Sequence, residues 1–163
     1  GSVIPLFIKQ IRESRKITIT RKAMTRFMMT MNQATELTLS ALEMAKGGEI
    51  FVLKMPVIRL MDLAEIVIEE LAGHMGYAAS DIGIEEIGLR PGEKMFEELM
   101  TEEESMSALE LQDMYVIPNA FKKVPVYDGA KPAEIRSYSS NQSEVMSKDA
   151  VNEMVRRVVR DLV

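Results

Sequence analysis

Glu49-Ile50-Phe51-Val52-Leu53-Lys54-Met55-Pro56-Val57-Ile58-Arg59-Leu60-Met61-Asp62-Leu63-Ala64-Glu65-Ile66-Val67 changes its apolar period halfway along. Residues 49–54 carry a short apolar run closed by Pro56, which reads as a buried strand. Leu60, Leu63, Ala64, Val67 and Leu71 then recur at intervals of three and four, the period of one helix face. A strand followed at once by an amphipathic helix predicts a mixed α/β chain.

The same periodicities extend outward in both directions. Upstream, Ile4, Phe7, Ile8 and Ile11 predict a helix with Pro5 near its first position and Ser2 as its cap. Ile17-Thr18-Ile19-Thr20 alternates as a short strand. Ala34, Leu37, Ala41 and Met44 form another helix stripe, which Gly47-Gly48 ends. Downstream, Ile82 to Leu89 predicts a strand, followed by an Arg90-Pro91-Gly92 loop and a short helix through Phe96 and Leu99. Glu102 to Glu104 predict a solvated turn or helix start, and Met114 to Ile117 a strand. Residues 118–146 read as irregular. Val151, Met154, Val155, Val158 and Leu162 mark a terminal helix capped by Ser147. Neither repeats nor a low-complexity tract break the chain, so residues 1–163 read as a single region.

Composition narrows the function classes. The 163 residues are 47% hydrophobic and 28% charged, ordinary for a globular domain of this length. No apolar run reaches the 18 or so residues of a membrane-spanning helix, and no signal-peptide pattern opens the chain. With no cysteine, disulfides, thiolate metal sites and cysteine nucleophiles are excluded. The single histidine, His74, excludes a two-histidine metal site, and nothing with ligand spacing surrounds it, so no metal is expected. It reads as the end of the third helix, near the negative end of its dipole. A net charge of −5 argues against nucleic acid as a partner. The charge is uneven, however. Residues 1–30 hold Lys9, Arg12, Arg15, Lys16, Arg21, Lys22 and Arg26 against one acid, Glu13.

Two of the basic residues stand out chemically. Arg26 lies in the apolar stretch Met24-Thr25-Arg26-Phe27-Met28, where a guanidinium needs an anionic partner or an exit to water. Arg90 leaves a strand into Arg90-Pro91-Gly92-Glu93-Lys94, a turn at the kind of strand exit where binding loops concentrate. A guanidinium fork suits a phosphate, and Glu93 could accept from a sugar hydroxyl. On the residues alone two readings stay open for this pair: an anion site, or a solvated face and an ordinary turn with a surface ion pair. Tyr127-Asp128-Gly129-Ala130-Lys131 matches a dehydrogenase Tyr-x-x-x-Lys, but Pro125, Gly129 and Pro132 deny it a helix, so the match is read as coincidence. No glycine-rich phosphate loop occurs. The fourteen methionines read as core filler.

Five segments, taken in order, resemble the C-terminal half of an extended short-chain dehydrogenase/reductase. The resemblance is to the nucleotide-sugar 4,6-dehydratase group of capsular polysaccharide biosynthesis proteins. They are Gly1-Ser2-Val3-Ile4-Pro5-Leu6-Phe7, Met24-Thr25-Arg26-Phe27 with Met29-Thr30, Ile50-Phe51-Val52-Leu53-Lys54, Gly88-Leu89-Arg90-Pro91-Gly92-Glu93-Lys94, and Tyr138-Ser139-Ser140-Asn141. The resemblance implies an α/β fold that forms the substrate-binding part of an NAD(P)-dependent lyase acting on UDP-N-acetylglucosamine or a similar UDP-sugar. Hydride would leave the sugar's 4-position, water be eliminated across the 5- and 6-positions, and hydride return to the 6-position. It further implies that the Val3-Ile4-Pro5 turn and the Ile17–Thr20 strand flank the uracil, with Ile4, Pro5, Thr18 and Thr20 as binding positions. Arg26 and Arg90 would clamp the diphosphate, and Glu93 would face the ribose.

The same resemblance leaves things out. The family's dinucleotide-binding Rossmann half and its catalytic Tyr-x-x-x-Lys helix have no counterpart in these residues. No catalytic residue is therefore expected here, and no cofactor for this chain alone. NADP or NAD belongs to the complete enzyme, with the Rossmann half as a partner. Arg21-Lys22-Ala23 also stands where the family commonly has Asp-Pro or His-Pro. A cytoplasmic homo-oligomer is implied. By the same analogy the Ile50–Lys54 strand would join the parallel sheet of the other half, so that the isolated chain self-associates or requires that half. The alternative is a non-catalytic binding or self-assembling module derived from the same family.

Overall fold

The computed structural model describes residues 3–160, so the Ser2 cap and Leu162 fall outside the described residues. The elements, in chain order, are α1 (Val3–Ser14), β1 (Lys16–Ile19), β2 (Thr25–Phe27), α2 (Met31–Met44), β3 (Ile50–Leu53), β4 (Val57–Arg59), α3 (Leu60–Ala72), β5 (Gly83–Glu86), β6 (Glu98–Met100), α4 (Glu102–Ser105), β7 (Leu109–Glu110), β8 (Met114–Ile117), β9 (Lys131–Pro132), β10 (Tyr138–Ser139) and α5 (Lys148–Arg160). The fold is mixed α/β, as the change of period at Pro56 predicts. The chain divides into two compact units that interleave in sequence. The first takes residues up to Arg26, Val57–Phe96, and those from Glu144 on; the second takes Phe27–Pro56 and Glu97–Ser143.

The first unit is built around α3. Its sequence shows one apolar face, yet eight of its residues are buried, from Leu60 to Ala72. A helix that is apolar around most of its girth needs neighbours on more than one side. It packs against α5 and also against α1 and β1. Ile4, Phe7, Ile8 and Ile11 of α1 are all buried, as are Val151, Val155 and Val159 of α5. Charges tie the solvent side of the α3–α5 pair: Lys148 reaches both Glu65 and Asp62, and Arg156 reaches Glu70. Ser147 caps α5, its Oγ accepting from the Ala150 amide at 3.3 Å. At its own start α3 has no side-chain cap, and the Leu60 amide donates instead to the Met24 carbonyl at 3.0 Å.

β1 and β5 pair in parallel, Lys16 opposite Gly83 and Ile19 opposite Glu86. Parallel strands need a long crossover, and α3 lies within it. Between α1 and β1 the chain turns through Arg15, at φ 51 in the left-handed region that usually selects glycine. Its guanidinium lies 4.4 Å from the centre of the Tyr77 ring. That cation–π contact offsets part of the backbone strain.

The second unit is an antiparallel sheet in the order β3-β8-β7-β9, with β6 and β10 as a separate antiparallel pair. Val52, Met100, Ala108, Tyr115, Ala133 and Tyr138 form its core. The Tyr138 ring sits 5.0 Å from Phe27 and 5.3 Å from Tyr115, centre to centre. Its hydroxyl accepts from the Met55 amide at 2.8 Å and donates to the Met55 carbonyl at 3.2 Å. A buried phenol is tolerated because that polar end is satisfied twice. Thr30 and Gln33 form a capping box at the start of α2. Ala34, Leu37, Ala41 and Met44 are its only half-buried residues, and none is fully buried.

Several expectations are corrected. The segment through Phe96 and Leu99 is not a helix: Phe96 lies in a bend and Leu99 in β6, because Glu98 and Met100 pair across to β10. The strand at residues 50–53 is not buried throughout, since only Val52 is. Within this chain it pairs antiparallel with β8, Ile50 opposite Ile117. α2 already ends at Met44, so Gly47 and Gly48, at φ 106 and 94, form the loop into β3 rather than the stop itself. The acidic run 102–104 does start a helix, α4, capped by Thr101. Residues 118–146 are mostly irregular but hold the two-residue strands β9 and β10. Tyr127 and Lys131 share no helix, and Lys131 instead pairs with Glu110. His74 lies exposed in a 3-10 turn after α3. Among the described residues no helix is long and apolar enough to cross a membrane, and no cluster of acids and histidine has metal-site geometry.

The two kinds of apolar residue predict contrasting outcomes. Leu63→Ala, at a fully buried position of α3, is expected to cost about 2–5 kcal/mol of unfolding free energy. Leu42→Ala, on the exposed side of α2, is expected to stay within about 0.5 kcal/mol. Denaturant titration of both variants checks this, and equal losses would overturn it. A second expectation concerns acid. Glu110 is held below its ordinary 4.5 by the Lys54 hydrogen bond first, against a desolvation penalty, with Lys131 helping. A depressed carboxyl stabilises the fold above its unfolded pKa, and the effect is lost as pH falls through the folded value. The stability gap between wild type and Glu110→Gln should therefore be full at neutral pH and close below about pH 4. A gap that persists unchanged in acid would exclude the ion pair as its cause.

Candidate functional site

The parallel pairing of β1 with β5 does not stop at the strand ends. The Ile87 amide donates to the Ile19 carbonyl at 2.9 Å, and the Gly88 amide to the Thr20 carbonyl at 3.0 Å. The ladder thus delivers the segment after β5 to the end of β1. There the chain turns at Arg90-Pro91-Gly92-Glu93, with Gly92 at φ 82 and the Glu93 amide donating to the Arg90 carbonyl at 3.0 Å. Pro at the second position and a left-handed Gly at the third are the requirements of a type II turn.

Glu93 closes this turn a second time and ties it to two other segments. One carboxylate oxygen, Oε2, accepts from the Arg90 amide at 3.3 Å. The other, Oε1, accepts from the Thr20 hydroxyl at 3.0 Å and lies 3.9 Å from Nη2 of Arg26. Thr20 itself is only 8% exposed, so its hydroxyl needs such an acceptor.

Arg26 answers in part the question its apolar setting poses. Its Nη1 donates to the carbonyls of Thr25 at 2.8 Å and Met95 at 3.3 Å, and its Nη2 to the carbonyl of Lys94 at 2.8 Å. Main-chain oxygens therefore fix the guanidinium beside Glu93. A side-chain pattern carries no signal for such partners. Arg90, by contrast, is an exposed residue at the head of the turn.

Four of the seven residues singled out from sequence are thus joined: Thr20, Arg26, Arg90 and Glu93. Thr18 stands apart, paired with Gln10. The Gln10 amide nitrogen donates to the Thr18 hydroxyl at 2.6 Å, and its oxygen accepts from the Thr18 amide at 3.1 Å. Ile4 and Pro5 lie in the first turn of α1 rather than in a loop, with the Ile4 side chain buried and Pro5 exposed. Two residues that sequence reasoning passed over also shape the surroundings. Gln10 orients Thr18. Glu86 accepts from Arg21 Nη1 at 2.7 Å and from the Lys22 amide at 3.3 Å. The Arg21 contact, before all others, holds the Glu86 carboxyl below its ordinary range. It anchors the Arg21-Lys22-Ala23 turn to the end of β5.

Gly47 and Gly48 do not form a pyrophosphate cradle. A pyrophosphate cradle needs glycines between a strand and a helix N-terminus. Gly47 and Gly48 instead lead from a helix into a strand, and a Cβ at Gly48 would come within 2.8 Å of the Asn119 side chain. That space is filled by protein.

The family model described as "Polysaccharide biosynthesis protein" matches residues 1–119. An uncharacterized membrane protein of Methanocaldococcus jannaschii is 44% identical over 159 residues, covering 97% of this chain and 46% of that protein. A UDP-glucose 4-epimerase of Rickettsia rickettsii is 35% identical over 160 residues, covering 95% of this chain and 45% of the epimerase. Among solved structures, the X-ray structure of Pen from Bacillus thuringiensis superposes with a TM-score of 0.85 at 50% identity, over 100% of this chain and 47% of that one. The chain thus spans about half the length of these relatives.

Proposed function

Because the chain belongs to the polysaccharide biosynthesis protein family and corresponds to the C-terminal part of an extended short-chain dehydrogenase/reductase, we propose that it binds the nucleotide part of a UDP-sugar. The observation that carries this reading is the joining of Arg26, the Arg90 turn, Thr20 and Glu93 at one end of the β1–β5 pair. The Arg26 guanidinium lies beside this carboxylate and Arg90 heads the turn that the carboxylate closes; guanidinium groups suit a diphosphate because each can donate a pair of parallel hydrogen bonds. Glu93 offers lone pairs to a ribose hydroxyl. Ile4 contributes through its backbone, in the helix turn whose N–H groups lack intrahelical partners, since its side chain is buried. Thr18 and Pro5 line the uracil side.

The complete enzyme is then an NAD(P)-dependent nucleotide-sugar 4,6-dehydratase, with UDP-N-acetylglucosamine or a close analogue as substrate. The cofactor and the catalytic groups belong to a Rossmann half, and this chain alone is inactive. A 4-epimerase acting on UDP-glucose is the second reading, favoured by the name of the Rickettsia relative.

Calorimetric titration tests the binding reading. Saturable binding of UDP-N-acetylglucosamine and none of NADP is expected. Arg90→Ala, at an exposed position, should weaken that binding by about 10-fold or more without changing the melting temperature, the worth of a hydrogen bond to a charged group. Absence of sugar-nucleotide binding, or wild-type affinity in Arg90→Ala, would overturn the reading. Tighter binding of UDP-glucose than of UDP-N-acetylglucosamine would favour the epimerase.

A further inference from the structure

We infer that Thr20 is a positioning residue that sets the spacing of the two arginines by holding Glu93. The inference rests on the nucleotide-sugar reading and adds to it a residue that acts through another.

The argument begins with what Glu93 touches. Its side chain meets the end of β1 through Thr20 and β2 through Arg26, both remote in sequence, and its own turn through the Arg90 amide. Of the three partners, Thr20 is the buried one, on a residue continuous with a strand. It is the fixed point. The Arg26 contact is a looser 3.9 Å, and the Arg90 amide belongs to an exposed turn.

Removing the Thr20 hydroxyl leaves Oε1 one donor short. The nearest remaining cation is Arg26, and a carboxylate relieved of a neutral donor moves toward a charged one. Two consequences follow together. Arg26 becomes more fully neutralised by Glu93, and Oε2 is drawn from the Arg90 amide, which loosens the turn that carries Arg90. A ligand gripped by one arginine loses little. A ligand that needs both at a fixed separation loses much, because orientation is prepaid only when both groups are held. Thr20 is thus a determinant of preference for a diphosphate over a monophosphate, through no contact of its own with the phosphates.

The test measures the affinities of UDP-N-acetylglucosamine and of UMP for wild type, Thr20→Val and Thr20→Ser, with thermal unfolding of each as a folding check. Valine keeps the shape and removes the donor, whereas serine keeps the donor. Thr20→Val is expected to bind UDP-N-acetylglucosamine about 10-fold more weakly and UMP within about 2-fold of wild type, with Thr20→Ser restoring the preference. If valine prevents folding, Thr20→Ala provides the same comparison. Equal losses for both ligands, no loss for either, or failure of serine to restore the preference would overturn the inference. Wild type that binds neither ligand would overturn the nucleotide-sugar reading itself.

Discussion

Parallel pairing of β1 with β5 is the constraint on which the candidate site depends. It brings residues 16–20 beside residues 83–88, and the bonds to the Ile19 and Thr20 carbonyls carry it past the ends of both strands. Closing so long a loop is entropically unfavourable and is offset by burial along the crossover. α3 supplies that burial: Leu63, Ala64, Val67 and Leu71 have no measurable exposure. Thr20 can therefore meet Glu93 only while α3 is packed. The geometry of the candidate site and the stability of the first unit are coupled through one helix rather than through the residues of the site.

The outer elements of the first unit, α1, β1 and α5, were legible because each has a partner on one side and solvent on the other. The stripes of α1 and α5 and the alternation of β1 follow from that asymmetry, and Ile4, Phe7, Ile8 and Ile11 are buried as their spacing predicts. The second unit was less legible. Its strands are two to four residues long, below the length at which period two can be told from period 3.6. Phe96 and Leu99 illustrate the ambiguity: a spacing of three fits a helix face, yet Phe96 lies in a bend and Leu99 in a three-residue strand. The interleaving of the two units was also invisible, since composition does not shift at Phe27, Val57, Glu97 or Glu144.

For the site, sequence chemistry located the charged groups but not their partners. Arg26 was marked by its apolar neighbours, and the turn at Arg90 by Pro91 and Gly92. The carbonyls of Thr25, Lys94 and Met95 that hold Arg26 are main-chain atoms, which every residue carries and no pattern distinguishes. Glu86 and Gln10 read as ordinary surface polar residues until the fold sets them opposite Arg21 and Thr18. The turn Arg21-Lys22-Ala23, which departs from the family's common Asp-Pro or His-Pro, is held from outside by Glu86. A salt bridge there takes over a task that proline's fixed φ performs from within.

The placement of the tyrosines gives the molecule an unequal optical response. The chain has no tryptophan and four tyrosines. Tyr115, Tyr127 and Tyr138 are buried in the second unit, while Tyr77 of the first is half-buried beneath the Arg15 guanidinium. Ultraviolet emission from this protein therefore reports mainly on the antiparallel sheet. The unit that carries Arg26, Arg90 and Glu93 holds one tyrosine, Tyr77, and its state is visible instead mainly in the circular dichroism of α1, α3 and α5, to which α2 of the second unit adds. Coincidence of the two signals during unfolding is thus a direct measure of whether the two units share one cooperative transition.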